Sequence, residues 1–261
     1  MARAHPECPA WAPPLLALQF LTRVPVPGIA RLPGDVVRIG LVRAVAWFPL
    51  VGAIVGSITA GVMLITEQFW PRAVAVLVAL VVEARLTGAF HEDAVADFCD
   101  GVGGGRDPGH VREIMKDSRI GTYGTLGVAL AVGLRAVLMT SLDAAYAAAA
   151  IIGAATFGRL LAVVALATIP QAPRADGLSK DVAGEVRPKD IAIAGVTSVA
   201  GVAALVLHRP VASLLALGVA AIFMIWIRGF VLKRVGGCTG DCLGFIAYSG
   251  QLIVLLAAAS G

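Results

Sequence analysis

Residues 44–65, AVAWFPLVGAIVGSITAGVMLI, run for 22 positions without one charged side chain. A helix needs roughly 20 apolar residues to cross the hydrocarbon core of a bilayer, so this run reads as a span. Working outward, six further stretches have the same character, at about residues 72–90, 123–142, 144–169, 190–207, 210–228 and 240–260. Over the whole chain 58% of residues are hydrophobic and 15% charged, with a mean hydropathy of +0.86. Soluble domains average about 45–50% apolar and about 25% charged. The expectation is an all-α, polytopic transmembrane helix bundle of about seven spans. No linker is long enough to divide it, so residues 1–261 read as a single integral-membrane domain.

The basic residues orient the bundle. Arg3, Arg23, Arg31, Arg38 and Arg43 precede the first span, and Arg106, Arg112, Lys116 and Arg119 follow the second. Arg174, Lys180, Arg187 and Lys189 follow the fourth, and Arg228, Lys233 and Arg234 the sixth. Sixteen of the 21 basic residues therefore fall on one side, against Arg72 and Arg209 on the other. Basic loops stay in the cytoplasm, which puts the N-terminus inside and the C-terminus in the periplasm of a bacterial inner membrane. Gly105 and Ala183 are expected on the cytoplasmic side and Gly261 on the periplasmic side. A net charge of +4 and a pI near 9.1 follow from this arrangement and from anionic ligands, with no nucleic acid implied.

Three features limit other readings. Pro6, Pro9, Pro13 and Pro14 break the first apolar run and no small-residue cleavage site follows it, so no signal peptide is expected. Leu15–Leu21 is too short to span and reads as interfacial or re-entrant. Cys8, Cys99, Cys238 and Cys242 have neither CxxC spacing nor a paired histidine cluster, which argues against zinc and against a disulfide framework.

The densest chemistry is GAFHEDAVADFCDG, residues 88–101, at the expected cytoplasmic end of the second span. On a helix Asp93, Asp97 and Asp100 fall at i, i+4 and i+7, one face, with Glu92 one step of about 100° away. Like charges so placed repel, and the run holds no lysine or arginine to relieve them. A divalent cation would, and an all-oxygen donor set suits Mg²⁺ or Mn²⁺. His91 is a poor Mg²⁺ ligand and is expected behind the carboxylates, holding one of them in place. A plain solvated acidic helix end would interleave lysine with its acids.

Further along, Gly101, Gly103, Gly104 and Gly105 could bring backbone N–H groups to a phosphate or serve as a hinge. Asp107-Pro108 has the form of an N-cap followed by proline at N1, opening a helix to about Lys116. In MKDSRIGTYG, residues 115–124, Lys116 and Arg119 are spaced i, i+3 and could grip phosphate together or merely flank a span. In GGCTGDCLG, residues 236–244, Asp241 is the only acid after Asp190, and is either a helix cap or a ligand. Glu83 reads as half of an interhelical ion pair. Arg85, Arg135 and Arg159 also lie within apolar spans, and Phe157-Gly158 lets a ligand or helix come close to Arg159.

These motifs, with LQFLTRVPVP at 18–27, resemble the adenosylcobinamide-GDP ribazoletransferase family, also called cobalamin (5′-phosphate) synthase. The match runs from residue 18 to residue 244 in the family's order. The resemblance implies a Mg²⁺-dependent membrane enzyme that joins adenosylcobinamide-GDP to α-ribazole or its 5′-phosphate, releasing GMP. Its partners would be those two small molecules and the lipid bilayer, with a homo-oligomer left open. On that reading Asp93, Asp97, Asp100 and Asp241 hold the metal. Lys116, Arg119, Thr239 and Arg159 bind substrate and its phosphates, and the proton acceptor is one of Glu92, His91 and Asp97. Ala89 and Ala94 stand where the family often has glycine, and Phe98 where a small residue is common; these bear on packing, since no carboxylate is lost.

Two rivals fit less well. CDP-alcohol phosphotransferases carry D-x-x-D-G-x-x-A-R followed by G-x-x-x-D-x-x-x-D, and this run lacks the A-R and the second aspartate pair. An ion-coupled transporter would place its acids near the membrane midplane on broken helices, whereas these are expected at one face.

Overall fold

The computed structural model describes residues 8–173 and 186–260. Arg3, Arg174, Lys180, Ala183 and Gly261, used above for orientation, lie outside the described residues. Eleven α-helices follow one another among the described residues: α1 (Ala12–Leu21), α2 (Gly34–Ala44), α3 (Phe48–Thr66), α4 (Arg72–Thr87), α5 (Phe90–Gly104), α6 (Pro108–Met115), α7 (Thr122–Ser141), α8 (Ala147–Thr168), α9 (Pro188–His208), α10 (Pro210–Arg234) and α11 (Gly240–Ala259). No strand forms among the described residues; the single β-type contact is a bridge between Gln171 and Cys238. Six helical stretches are long and apolar enough to cross a membrane, and seven when the bent pair α4–α5 is taken as one span. The chain is therefore multi-pass and all-α.

Apolar surface faces outward where a bilayer would cover it. Leu130 on α7 and Ile222 and Ile225 on α10 are 70–77% exposed. Inside, α8 is the axis on which α3, α9 and α11 pack. Gly52 and Gly56 of α3 permit close approach to α8: a Cβ there would come within 2.9 Å of Thr156 Cα and 2.8 Å of Ile152 Cα, respectively. Small residues at such crossings let helix backbones touch where apolar burial alone cannot drive association.

The two ends of the bundle differ. At one end Cys238 N donates to Pro170 O (2.8 Å), Arg234 Nη2 to Val102 O (2.8 Å) and Arg23 N to Leu86 O (2.7 Å). At the other, Arg209 Nη1 donates to Tyr146 OH (3.1 Å) and Tyr146 OH to Ala258 O (3.2 Å). The first end carries Arg106, Arg112, Lys116, Arg119, Lys233 and Arg234, and the second Arg209 and Arg72, so the charge asymmetry read from sequence maps onto opposite ends.

Most expected spans match observed helices within a few residues. α10 runs on to Arg234, beyond the expected 228, because hydropathy stops at a charge while backbone hydrogen bonding does not. The second span departs more. It breaks after Thr87, and α4 and α5 meet at 88°. Gly88 (φ 71°) and Ala89 (φ 55°) both lie in the left-handed region that glycine tolerates best. Ala89 thus occupies a backbone position that glycine would hold at less cost. Phe98 is accommodated by stacking on Phe245, ring centroids 4.1 Å apart.

Candidate active site

The break at residues 88–89 sends α5 from the interior of the bundle to its basic end, so its acids divide between two settings. At its C-terminal half α5 crosses the starts of α7 and α11. Ala94 packs on Gly244, and this brings Asp241 of α11 toward α5. Asp93, Asp100 and Asp241 all act repulsively on half-buried Asp97. Asp93 acts likewise on Asp241, while Lys116 counters it there. The expected carboxylate group is present, with a member from a second helix.

Its members are not equivalent. Asp100, 8% exposed, accepts hydrogen bonds from Gly121 N (2.6 Å) and Gly124 N (2.7 Å). Both its oxygens thus engage the first turn of α7, where a negative charge also complements the helix dipole. Asp100 ties α7 to α5, while Asp93, Asp97 and Asp241 lie near enough to repel one another. The alternatives for Asp241 also separate: Thr239 is the N-cap of α11, its Oγ1 accepting from Cys242 N (3.3 Å). Thr239 therefore shapes the loop beside Asp241.

Asp107 caps α6 as expected, accepting from Gly109 N (2.9 Å) and His110 N (3.1 Å) with proline next. The bond from His110 N holds the Asp107 carboxyl below its ordinary value. The glycines before it do something the sequence did not suggest. Gly101 lies against Met115 and Gly103 against the Tyr123 ring, so they serve close packing of α6 and α7 on α5. Lys116 and Arg119 do not share a helical face, because α6 ends at Met115. Lys116 stands near Asp241. Arg119 is exposed and bound side-on to Asp117 (Nε–Oδ1 3.0 Å, Nη2–Oδ2 2.6 Å), which holds that carboxyl down at about 2.

The first turn of α5 belongs to a different setting. Glu83 of α4, 3% exposed, accepts from Arg135 Nη2 of α7 (2.7 Å) and from Thr59 Oγ1 of α3 (2.7 Å), the ion pair anticipated for it. Glu92 lies 3.9 Å from Arg135 Nη1, and Arg135 also sits over the Tyr248 ring at 5.7 Å. Arg159 of α8 is 1% exposed and donates to Ala155 O (3.0 Å). His91 faces Arg159 across a cavity rather than backing the aspartates. Glu92 is thus turned to Arg135, and His91 lines the cavity with Arg159 instead of standing behind the carboxylates as expected. Tyr248 and Gln251 of α11 were missed. Their signal was a polar side chain well inside an apolar span.

Carboxylate oxygens from two helices are the donor type Mg²⁺ takes. Among the described residues no three His, Cys, Asp or Glu side chains converge closely enough to hold an ion by themselves.

The family model described as Cobalamin-5-phosphate synthase matches residues 13–259. A protein of Leptothrix cholodnii named adenosylcobinamide-GDP ribazoletransferase is 38% identical over 88% of both chains. Proteins of the same name from Ralstonia pickettii (36% identical, 94% of both chains) and Shewanella amazonensis (37%, covering 93% of this chain and 92% of the other) align over nearly their whole length. No solved structure matches the chain. Because the match covers residues 13–259, this chain belongs to the cobalamin-5-phosphate synthase family.

Proposed function

We propose that the chain is the membrane transferase its relatives are named for, joining adenosylcobinamide-GDP to α-ribazole or its 5′-phosphate in cobalamin biosynthesis. A ribazole hydroxyl oxygen attacks the phosphorus bound to cobinamide, the bond to the second phosphate breaks, and GMP leaves. The observation that carries this reading is the meeting of Asp93 and Asp97 of α5 with Asp241 of α11 at the basic end of the bundle, in a chain of this family.

One or two of Asp93, Asp97 and Asp241 would hold Mg²⁺ there together with substrate phosphates, with Asp100 keeping α5 against α7. When bound, Mg²⁺ supplies charge neutralisation at the phosphoryl oxygens. Lys116, beside Asp241, adds a cation to the same phosphates. Arg119 would join by exchanging Asp117 for phosphate, a similar planar, bidentate partner. Of the three candidate proton acceptors, Asp97 alone stands in the carboxylate group. Glu92 is turned to Arg135 and His91 to the cavity, so removal of the hydroxyl proton falls to Asp97. The basic end faces the cytoplasm of a bacterial inner membrane, on the charge asymmetry, and brings the site to soluble nucleotides.

The test is product analysis with purified protein in detergent or nanodiscs. Adenosylcobinamide-GDP, α-ribazole and Mg²⁺ should give GMP and a joined corrinoid, and a CDP-lipid should give no CMP. CMP release without GMP release would overturn the reading.

A further inference from the structure

Helices α1, α3, α5, α8 and α11 enclose a cavity of about 270 Å³. That is near the lower end of small-molecule sites, about 300 Å³, and many times the volume of a water, about 30 Å³. Three phenylalanines shape it. Phe20 and Phe48 lie with ring centroids 5.8 Å apart and planes 3° from parallel, and Phe90 meets Phe20 edge-on at 5.4 Å. His91, Arg159 and Leu166 complete the polar and apolar parts of the wall.

Arg159 is the unusual member. Its Nη1 is used by Ala155 O, but Nε and Nη2 have no hydrogen-bond partner among the described residues, although the side chain is almost wholly buried. Those nitrogens form one edge of the guanidinium, two donors side by side. A buried donor left unmade is costly, so such an edge calls for acceptor atoms on whatever fills the cavity.

The wall chemistry narrows the occupant. Phenylalanine rings favour a flat apolar heterocycle. The lining side chains include no carboxylate, so a purine with amide N–H groups, such as guanine, would bury donors against Phe and Leu. A phosphate would bring its charge into an apolar chamber with one guanidinium, itself already close to Glu83 and Glu92. The base of an N-glycosylated benzimidazole offers a ring-nitrogen acceptor, no donor and an apolar remainder.

On the transferase reading above, we infer that this cavity seats the heteroaromatic base of ribazole, with Arg159 donating to its ring nitrogen and a neighbouring sugar oxygen. Arg159 then sets specificity for the nucleoside, and the phosphates stay with the aspartates. Gly240 in the cavity wall adjoins Asp241 in the carboxylate group, so a nucleoside anchored by its base can extend its sugar hydroxyl toward the reacting phosphorus.

The experiment uses full-length protein in nanodiscs with two variants, Arg159→Lys and Ala162→Leu, the second narrowing the cavity while leaving the guanidinium in place. From GMP release, both should raise the KM for α-ribazole at least tenfold and leave the KM for adenosylcobinamide-GDP within twofold. Free benzimidazole should compete with α-ribazole, and guanine should not. An unchanged α-ribazole KM in a folded Ala162→Leu protein, or a rise confined to adenosylcobinamide-GDP, overturns the assignment while the transferase function stands. Absence of GMP release from wild type overturns the function instead. Equilibrium dialysis of α-ribazole without corrinoid then decides the cavity alone: binding lost in Ala162→Leu supports it, and no binding or unchanged binding refutes it.

Discussion

Glu92 and Asp97 stand five residues apart on α5 and keep opposite company. Glu92 turns inward to Arg135, in a chamber that also holds Glu83 and Arg159, so two acids meet two guanidiniums. Asp97 turns to three more carboxylates, with Lys116 acting on the group at Asp241. The interior carries its own counter-charges, which is what a bilayer demands of ionisable groups within it. The carboxylate group needs charge from outside, and substrate with Mg²⁺ brings it. Charge in the first region, Arg159 apart, keeps the fold; charge in the second does chemistry.

The sharpest way to break this division is to neutralise acids in each region and compare. Asp93→Asn and Asp241→Asn should each lower GMP release by about 100-fold or more, since metal-assisted charge stabilisation is worth several kcal/mol and each factor of ten about 1.4 kcal/mol. Their thermal unfolding in detergent should be unchanged or shifted upward, because repulsion is relieved. Glu83→Gln should do the reverse. Removing one partner of a buried pair leaves Arg135 with only the more distant Glu92 (3.9 Å) as counter-charge, at about 3 kcal/mol, read as a lowered unfolding midpoint. A Glu83→Gln protein as stable as wild type would dissolve the distinction.

Asp100 lies between the two cases. Asp100→Asn keeps one acceptor for α7 and loses the charge, so about 1–2 kcal/mol should go locally. Faster hydrogen exchange at Gly121–Thr125 with modest loss of turnover is the expected reading; a collapse equal to that of Asp93→Asn would make Asp100 a ligand first. At the break, Ala89→Gly should raise stability by about 1 kcal/mol, the cost of a left-handed alanine, seen as a higher unfolding midpoint. Arg119→Lys should be the mildest. The exposed pair with Asp117 is worth little, and losing the planar fork should lower turnover about two- to threefold.

Much of this was legible in the amino-acid order. Span positions, the Asp107 cap, the Glu83 ion pair and the i, i+4, i+7 aspartate face all follow from periodicity, hydropathy and charge. The division of α5 did not, because it depends on the left-handed break at Ala89, where alanine gives no signal and only the preceding Gly88 hints at a turn. Helical spacing set Glu92 one step off the aspartate face, and packing turned it to Arg135, while His91, expected behind the aspartates, lines the cavity with Arg159. The joint reading of Lys116 and Arg119 failed for a local reason, since α6 stops at Met115 and Arg119 turns to Asp117. Asp241 could not be told from a cap until Thr239 was seen to occupy that role.

The most direct measurement is GMP release by purified, folded wild-type and Asp97→Asn proteins across a Mg²⁺ titration. Wild-type turnover should rise with Mg²⁺ and vanish on chelation, and Asp97→Asn should stay at least about 100-fold below it at every concentration. Near wild-type turnover in Asp97→Asn, or wild-type turnover that survives chelation, would contradict the assignment of metal-assisted transfer to these carboxylates.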